Sequence, residues 1–316
     1  LATGKIPCVY MQNSGLGNII NPTASLLNEE VYGIPCVFII GWRGEPGLKD
    51  EPQHIYQGQI TLEQLKTMGI ATMVLDTETD EKEMAEQVKE FKVLLKEGKS
   101  VAFLVRKSAL TYDSEVAYKN DNTITREEVI RHITSISGED IIVSTTGKTS
   151  RELFEIREQT GKSHKYDFLT VGSMGHSSSI ALGIALNKPN TRVWCLDGDG
   201  AALMHMGSMA LIGASSPSNF VHLLINNAAH ESVGGQPTVA DKIDFSQIAL
   251  ACGYKDAFSV ANMDDLEQVL LKIEKRSGPL LIEVRTAIGS RKDLGRPTTT
   301  PTENKLAFMN YLKELN

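Results

Sequence analysis

Apolar residues in this chain gather in short unbroken runs, separated by longer stretches with helical spacing. In the first third the runs are CVYMQ (8–12), IPCVFII (34–40), ATMVL (71–75) and SVAFLV (100–105). Between them the sequence predicts helices over INPTASLLNEEV (20–31), TLEQLKTMG (61–69) and 81–97. The last carries Met84, Val88, Phe91 and Leu95 on one face. Residues 13–18 read as a turn and residues 41–59, rich in glycine, proline and polar groups, as a loop. Runs that are apolar at every position predict strands covered on both sides, hence parallel sheets. After a polar, aperiodic stretch at 106–122, Thr125-Arg126-Glu127-Glu128 fits a capping box that opens a helix. The alternation then resumes, with strands at 140–145, 168–171, 192–196, 220–225 and 279–287. Helices fall at 149–160, 176–187, 244–252, 262–277 and from Glu303. The expected fold is α/β, two doubly wound parallel-sheet domains spanning 1–115 and 116–316.

Composition narrows the class without naming a function. At 316 residues, with 41% hydrophobic and 22% charged positions, the chain can bury a substantial core. A net charge of −7 and the lack of a basic block argue against nucleic acid as a partner. No apolar run approaches the roughly 20 residues that span a bilayer, and LATGKIPC shows no secretory signal. Cys8, Cys36, Cys195 and Cys252 form no CxxC pair. They are read as reduced thiols, most of them in or beside buried strands, and the protein as cytoplasmic.

The most informative chemistry lies between Val193 and Asn227. One apolar strand ends in Gly198-Asp199-Gly200, and after 25 residues and a helix the next delivers Asn226-Asn227. A carboxylate and a carboxamide are thereby set at the carboxyl ends of two strands, where open α/β sheets bind ligands. Hard oxygen donors on short side chains suit Mg²⁺ and the phosphate oxygens it bridges. Two βα turns add to this: Thr146-Gly147, where backbone N–H groups favour phosphate, and Gly172-Ser173-Met174-Gly175.

Other motifs fail on spacing. Gly147-Lys148-Thr149 resembles a P-loop end, but Ile142 stands where the first glycine belongs. His230-Glu231 lacks the second histidine of a zinc-protease helix, and Gly175-His176-Ser177-Ser178-Ser179 lacks the closing glycine of a nucleophile elbow. Gly15 and Gly17 lack the third glycine of a dinucleotide turn.

GDG followed at this spacing by NN resembles the thiamine-diphosphate (ThDP) fingerprint. MQNSGLGNIINP, GWRGEPGLKDEPQH, GSMGHSSSIALGIAL, INNAAHESVGGQPT and GSRKDLGRPTTTP, in that order, resemble the phosphonopyruvate decarboxylase family, which is close to sulfopyruvate decarboxylase. The resemblance implies a pyrimidine-binding domain followed by a diphosphate-binding domain. It implies Mg²⁺ held by Asp199, Asn227 and the carbonyl of Ala229. Gly198, Gly200, Ala201 and the Gly147 turn would bind the diphosphate. Met174 would force the cofactor into its bent shape, with Ser173 beside it and the Gly172 carbonyl on the aminopyrimidine.

The implied reaction converts 3-phosphonopyruvate, a small 2-keto acid, to phosphonoacetaldehyde and CO₂ in the biosynthesis of phosphonates such as 2-aminoethylphosphonate. His54 and His230 are the expected proton-transfer residues. Arg291, Lys292 and Arg296, with Arg43 as a second choice, are the expected partners of the phosphonate. A homo-oligomer is implied, because the family builds its site between subunits.

One group is missing from the pattern. The glutamate that activates the cofactor has no counterpart here, since Glu29 and Glu30 follow the first strand rather than precede it. The chain opens at Leu1, and LATG reads as a helix end, so an upstream segment is expected to carry that glutamate. Two alternatives remain: the same chemistry on sulfopyruvate or another 2-keto acid, and a catalytically silent cofactor-binding subunit.

Overall fold

The computed structural model describes residues 2–113 and 117–315. The chain divides into two compact units, residues 1–115 and 116–316.

The first unit alternates β1 (Cys8–Gln12), α1 (Leu16–Ala24), β2 (Val37–Gly41), α2 (Pro52–Thr67), β3 (Ala71–Leu75), α3 (Glu81–Lys96) and β4 (Val101–Val105). Its sheet runs in the order β1-β2-β4-β3, with every pair parallel. Leu16, Phe38, Ile40, Leu65 and Leu104 pack together in its core. Asp80 caps α3 by accepting the Glu83 N–H, and Phe91 is the residue of the expected apolar face that is fully covered.

Three expectations fail in this unit. The run at 8–12 is not a buried strand: β1 stands at the sheet edge with one neighbour, so Cys8, Val9 and Tyr10 are exposed. The supposed loop at 41–59 gives way at Pro52 to α2, since proline at a first helical position sacrifices only an N–H that has no partner there anyway. The helix expected to reach residue 31 ends at Ala24.

The second unit contains α4 (Arg126–Ile136), β5 (Ile141–Ser144), α5 (Lys148–Thr160), β6 (Asp167–Leu169), α6 (Ser177–Asn187), β7 (Val193–Gly198), α7 (Asp199–Met204), α8 (Gly207–Ser215) and β8 (Phe220–Asn226). A short hairpin, β9 (Ala229–His230) with β10 (Gln236–Pro237), follows. The unit closes with α9 (Phe245–Ala251), β11 (Asp256–Val260), α10 (Met263–Ile273), β12 (Leu280–Arg285) and α11 (Pro301–Glu314). The sheet order is β11-β12-β8-β7-β5-β6, all parallel. Successive residues face opposite sides, and both sides are apolar. Trp194, Leu196, Leu223 and Ile282 join one core, whereas Val193, Cys195, Leu224 and Leu281 join the other. This doubled burial is why β8 is covered at all seven positions. Strand β11 escapes the sequence reading because Asp256 and Ser259 interrupt its short run. The helix expected to reach residue 277 ends at Ile273. Thr125 makes the anticipated capping box with Glu128.

No helix among the described residues is long and apolar enough to cross a membrane. All four cysteines are free, and Cys36 and Cys195 are buried.

One ion pair fixes an edge of the second unit. Arg157 of α5 donates from Nε and Nη2 to the two carboxylate oxygens of Asp167, each at 2.8 Å, and both side chains are wholly buried. Removing one partner strands the other charge out of water. Arg157→Met should therefore lower unfolding stability by about 3–5 kcal/mol, read from denaturant unfolding of the second unit's signal. A loss below about 1 kcal/mol would show that Asp167 finds water or another donor.

Candidate cofactor and metal site

In the second unit β5 has β6 on one side and β7 on the other, so the connections leaving β5 and β6 diverge. Such switch points open a crevice at the carboxyl ends of the strands. Three strand exits meet there. Strand β5 runs into Thr145-Thr146-Gly147-Lys148, β7 into Asp199, and β8 into Asn227. A pocket is lined by Thr145, Thr146, Lys148, Gly198, Asp199 and Asn227 together with Met174, Gly200, Ala201, Ala229 and His230, while Gly147 of the same turn does not line it. The sequence-predicted residues Met174, Gly198, Asp199, Gly200, Ala201, Asn227, Ala229 and His230 are thus brought together.

Asp199 is 2% exposed. Its Oδ2 accepts the Thr238 hydroxyl at 2.6 Å, and N–H groups of Asn227 and Gly200 also reach the carboxylate. Among the described residues no lysine or arginine pairs with it. Burial pushes its carboxyl above the usual range, against the pull of these donors and of His230. Gly200 makes room for a neighbour: a Cβ there would lie 2.6 Å from His230 Nδ1, so the imidazole would have to shift. Thr145 contributes a buried hydroxyl that no protein group satisfies, so the pocket holds an unmet polar atom beside an unpaired carboxylate.

Beyond β8 the backbone is held in an unusual shape. Ala228 has φ +56°, a conformation costly for a residue with a Cβ. Asn226 Oδ1 accepts the Ala228 N–H at 3.0 Å, and Asn227 Oδ1 accepts the Ala229 N–H at 3.1 Å. Asn226 is itself anchored by donating to Glu283 at 2.7 Å. Asn120 donates to the carbonyls of Asn227 and Thr286.

The Met174 turn is tied to the same frame. Gly172, Ser173 and Gly175 all have positive φ, and the Gly172 N–H donates to Thr146 Oγ1 at 3.1 Å. Met174 reaches the pocket wall, while Gly172 and Ser173 do not line it. Ser177, which opens α6, donates to Asp197 Oδ1 at 3.1 Å, and Asp197 also accepts its neighbour's Gly198 N–H. One buried carboxylate therefore links the turn to the GDG strand end. Asp197, Cys195 and His222 lie close enough to hold a metal. Protein groups already join this cluster, since His222 Nε2 lies 3.4 Å from Asp197 Oδ2 and its Nδ1 lies 3.1 Å from the Tyr254 hydroxyl.

Three charged residues at the pocket, Arg126, Lys148 and Glu231, escaped the sequence reading, as did Glu152 behind them. Arg126 forms a two-pronged ion pair with Glu152, 2.7 Å for each bond, and donates to Glu231 at 3.0 Å. Lys148 Nζ lies 2.5 Å from the other Glu231 oxygen. Burial opposes ionisation of Glu231, but these cations outweigh it and hold its carboxyl below the usual range. Lys148 and Glu231 sit inside the rejected P-loop and zinc-protease patterns. Arg126 sits inside a capping box, where its helix-starting role hid its inward side chain.

The expected substrate cations fare differently. Arg291 is committed to carboxylates: Nε to Glu127 at 2.7 Å, Nη1 to Asp293 at 3.1 Å, and Nη2 to Glu155. It fastens the 287–300 loop to α4 and α5, so a phosphonate would meet Arg291 only in competition with these carboxylates. Lys292 and Arg296 are exposed on the same loop. Arg43 and His54 lie in the first unit. Arg43 is clamped by Asp50 through two bonds of 2.8 and 2.6 Å. Burial pushes the His54 imidazole down, assisted by Arg43, so it is neutral at neutral pH.

Comparison with known proteins now bears on this geometry. Residues 145–284 match the family described as thiamine pyrophosphate enzyme, C-terminal TPP binding domain; thiamine pyrophosphate is ThDP. The chain is 35% identical to the phosphonopyruvate decarboxylase of Streptomyces viridochromogenes, across 98% of this chain and 80% of that protein. The Streptomyces hygroscopicus phosphonopyruvate decarboxylase is 34% identical with the same coverage. The chain belongs to the phosphonopyruvate decarboxylase family. The sulfopyruvate decarboxylase subunit beta of Methanococcus maripaludis is 36% identical, over 60% of this chain and 99% of that subunit. A member of this family is a ThDP-dependent decarboxylase of 2-keto acids, and the switch-point pocket lies within the matched domain.

The raised pKa of Asp199 has a measurable consequence. A carboxyl with a raised folded pKa favours the fold while protonated, and that contribution is lost as pH rises through the folded value. At neutral pH the ionised, buried Asp199 therefore destabilises the cofactor-free decarboxylase. Asp199→Asn should raise its melting temperature at pH 7 by roughly 2–4 °C, the shift that about 1 kcal/mol makes in a unit of this size. The gap should close as pH falls and Asp199 becomes neutral. A variant that melts no higher at pH 7 contradicts this account.

Proposed function

We propose that this decarboxylase converts 3-phosphonopyruvate to phosphonoacetaldehyde and CO₂, with Mg²⁺ bridging ThDP to the protein, in phosphonate biosynthesis. The observation that carries the substrate assignment is identity to phosphonopyruvate decarboxylases across 98% of the chain. Asp199, Asn227 and the Ala229 carbonyl supply three oxygens for the metal, a donor set that suits Mg²⁺. The Thr145 hydroxyl and the Gly147 and Gly200-Ala201 backbone are the groups for the diphosphate. Met174 would support the cofactor through a thioether that adapts to the space between two rings, and the Gly172 carbonyl would accept from its aminopyrimidine.

Bound ThDP supplies the electron sink for the bond that breaks as CO₂ leaves. The chain's own part is to orient the 2-keto acid, exclude water and return a proton to the carbon that has lost its carboxylate. His230 is the titratable imidazole on the pocket wall, so it is assigned that proton here. His54 is the corresponding group of the first unit, and its neutral ring suits it to accept a proton before it donates one. Arg291, Lys292 and Arg296, with Arg43 as a second choice, are the cations assigned to the phosphonate, and both Arg291 and Arg43 would share it with the carboxylates they already hold. The working enzyme is a homo-oligomer in which another copy completes the site.

Turnover with 3-phosphonopyruvate, sulfopyruvate and pyruvate, followed by CO₂ release, tests the assignment. The kcat/KM for phosphonopyruvate should exceed the others by at least about tenfold, a difference near 1.4 kcal/mol in transition-state binding. A higher value for sulfopyruvate would move the enzyme to the neighbouring substrate class.

A further inference from the structure

Asn227 can offer a cation either of two ends, and only one is useful. Its side chain carries an oxygen that ligates and an NH₂ that cannot. What stands opposite it decides which end faces the pocket. Here that neighbour is Glu231, four residues on, whose Oε2 accepts from Asn227 Nδ2 at 2.9 Å. A carboxylate can only accept, so it captures the nitrogen end and turns the oxygen away. The freed Oδ1 lies on the side of Ala229, whose N–H it meets at 3.1 Å.

Glu231 is equipped to act this way without becoming a ligand itself. Its Oε1 is taken by Lys148, and its Oε2 also meets Arg126. Arg126 is in turn held on its far side by both oxygens of Glu152. The four residues form an alternating chain of two anions and two cations, running from Glu152 in the core through Arg126 and Glu231 to Lys148, with Asn227 joined to it at Glu231. Resting on the metal reading of Asp199 and Asn227, we propose that Glu231 is a positioning residue that sets the Asn227 carboxamide in its metal-binding orientation.

The test is a double-substitution cycle read by Mn²⁺ binding to the ThDP-saturated protein, with electron paramagnetic resonance counting free Mn²⁺. In the Asn227 protein, Glu231→Ala should weaken Mn²⁺ by about 10–100-fold, the range found when a ligand's supporting partner is lost. In an Asn227→Asp background both ends of the side chain are oxygen and orientation ceases to matter, so Glu231→Ala removes only a like charge facing the new carboxylate and should leave Mn²⁺ binding unchanged or tighter.

Equal losses in both backgrounds, or no loss in the first, overturn the proposal. So does failure of Asn227→Asp to bind Mn²⁺, because an oxygen in either orientation should suffice. Asp199→Ala separates this from the underlying metal reading: undiminished Mn²⁺ binding in that variant removes the reading itself. Glu231→Ala leaves Arg126 on Glu152 and lets Lys148, 28% exposed, reach water. Should it still fail to melt cooperatively, Glu231→Ser, which is too short to reach the amide, takes its place in the cycle.

Discussion

A carboxylate taken out of water with no cationic side chain beside it is the constraint around which the second unit is arranged. Asp199 sits at the mouth of β7 with a hydroxyl and N–H groups for company. Those donors satisfy its lone pairs without cancelling its charge, so the site carries an electrostatic demand that the protein alone does not meet. The neighbouring loops serve this arrangement. Gly200 leaves room for His230, Asn226 holds the strained Ala228, and Asp197 couples the Met174 turn to the same strand end. Stability is sacrificed at one buried carboxylate, and proteins commonly make that exchange at functional sites.

Much of this was legible in the sequence, for reasons that differ by residue. The parallel sheets show because strands covered on both faces leave unbroken apolar runs, and Phe220 to Ile225 is such a run apart from His222. GDG and NN show because polar groups at the ends of two neighbouring strands recur at a spacing set by the helical connection between them, here α7 and α8. The rest depends on where side chains turn after folding. Arg126 opens a helix and looks like any solvent-facing first-turn residue, yet it enters the core to meet Glu152. Conversely, Arg291 belongs to the densest basic loop and looked available, but Glu127 and Glu155 from two helices occupy it.

Burial was the less readable property in the first unit. An edge strand and a central strand can have the same composition, and CVYMQ does not announce that one of its sides has no neighbour. Proline misled in the opposite direction. Pro52 follows a Gly/Pro-rich stretch and looks like more loop, whereas at a first helical position it starts a sixteen-residue helix.

The alternating quartet also determines what kind of attraction the pocket exerts. Its wall carries Arg126 and Lys148 against Asp199 and Glu231, so at a distance the two signs offset one another. A wall with no surplus charge does not gather anions from bulk solution, and encounter there owes little to steering by long-range fields. Arg126 and Lys148 are already seated on carboxylates, so an anion reaching either of them would have to displace a carboxylate first. Recognition of that kind is short-ranged and geometric, and added salt screens it only weakly.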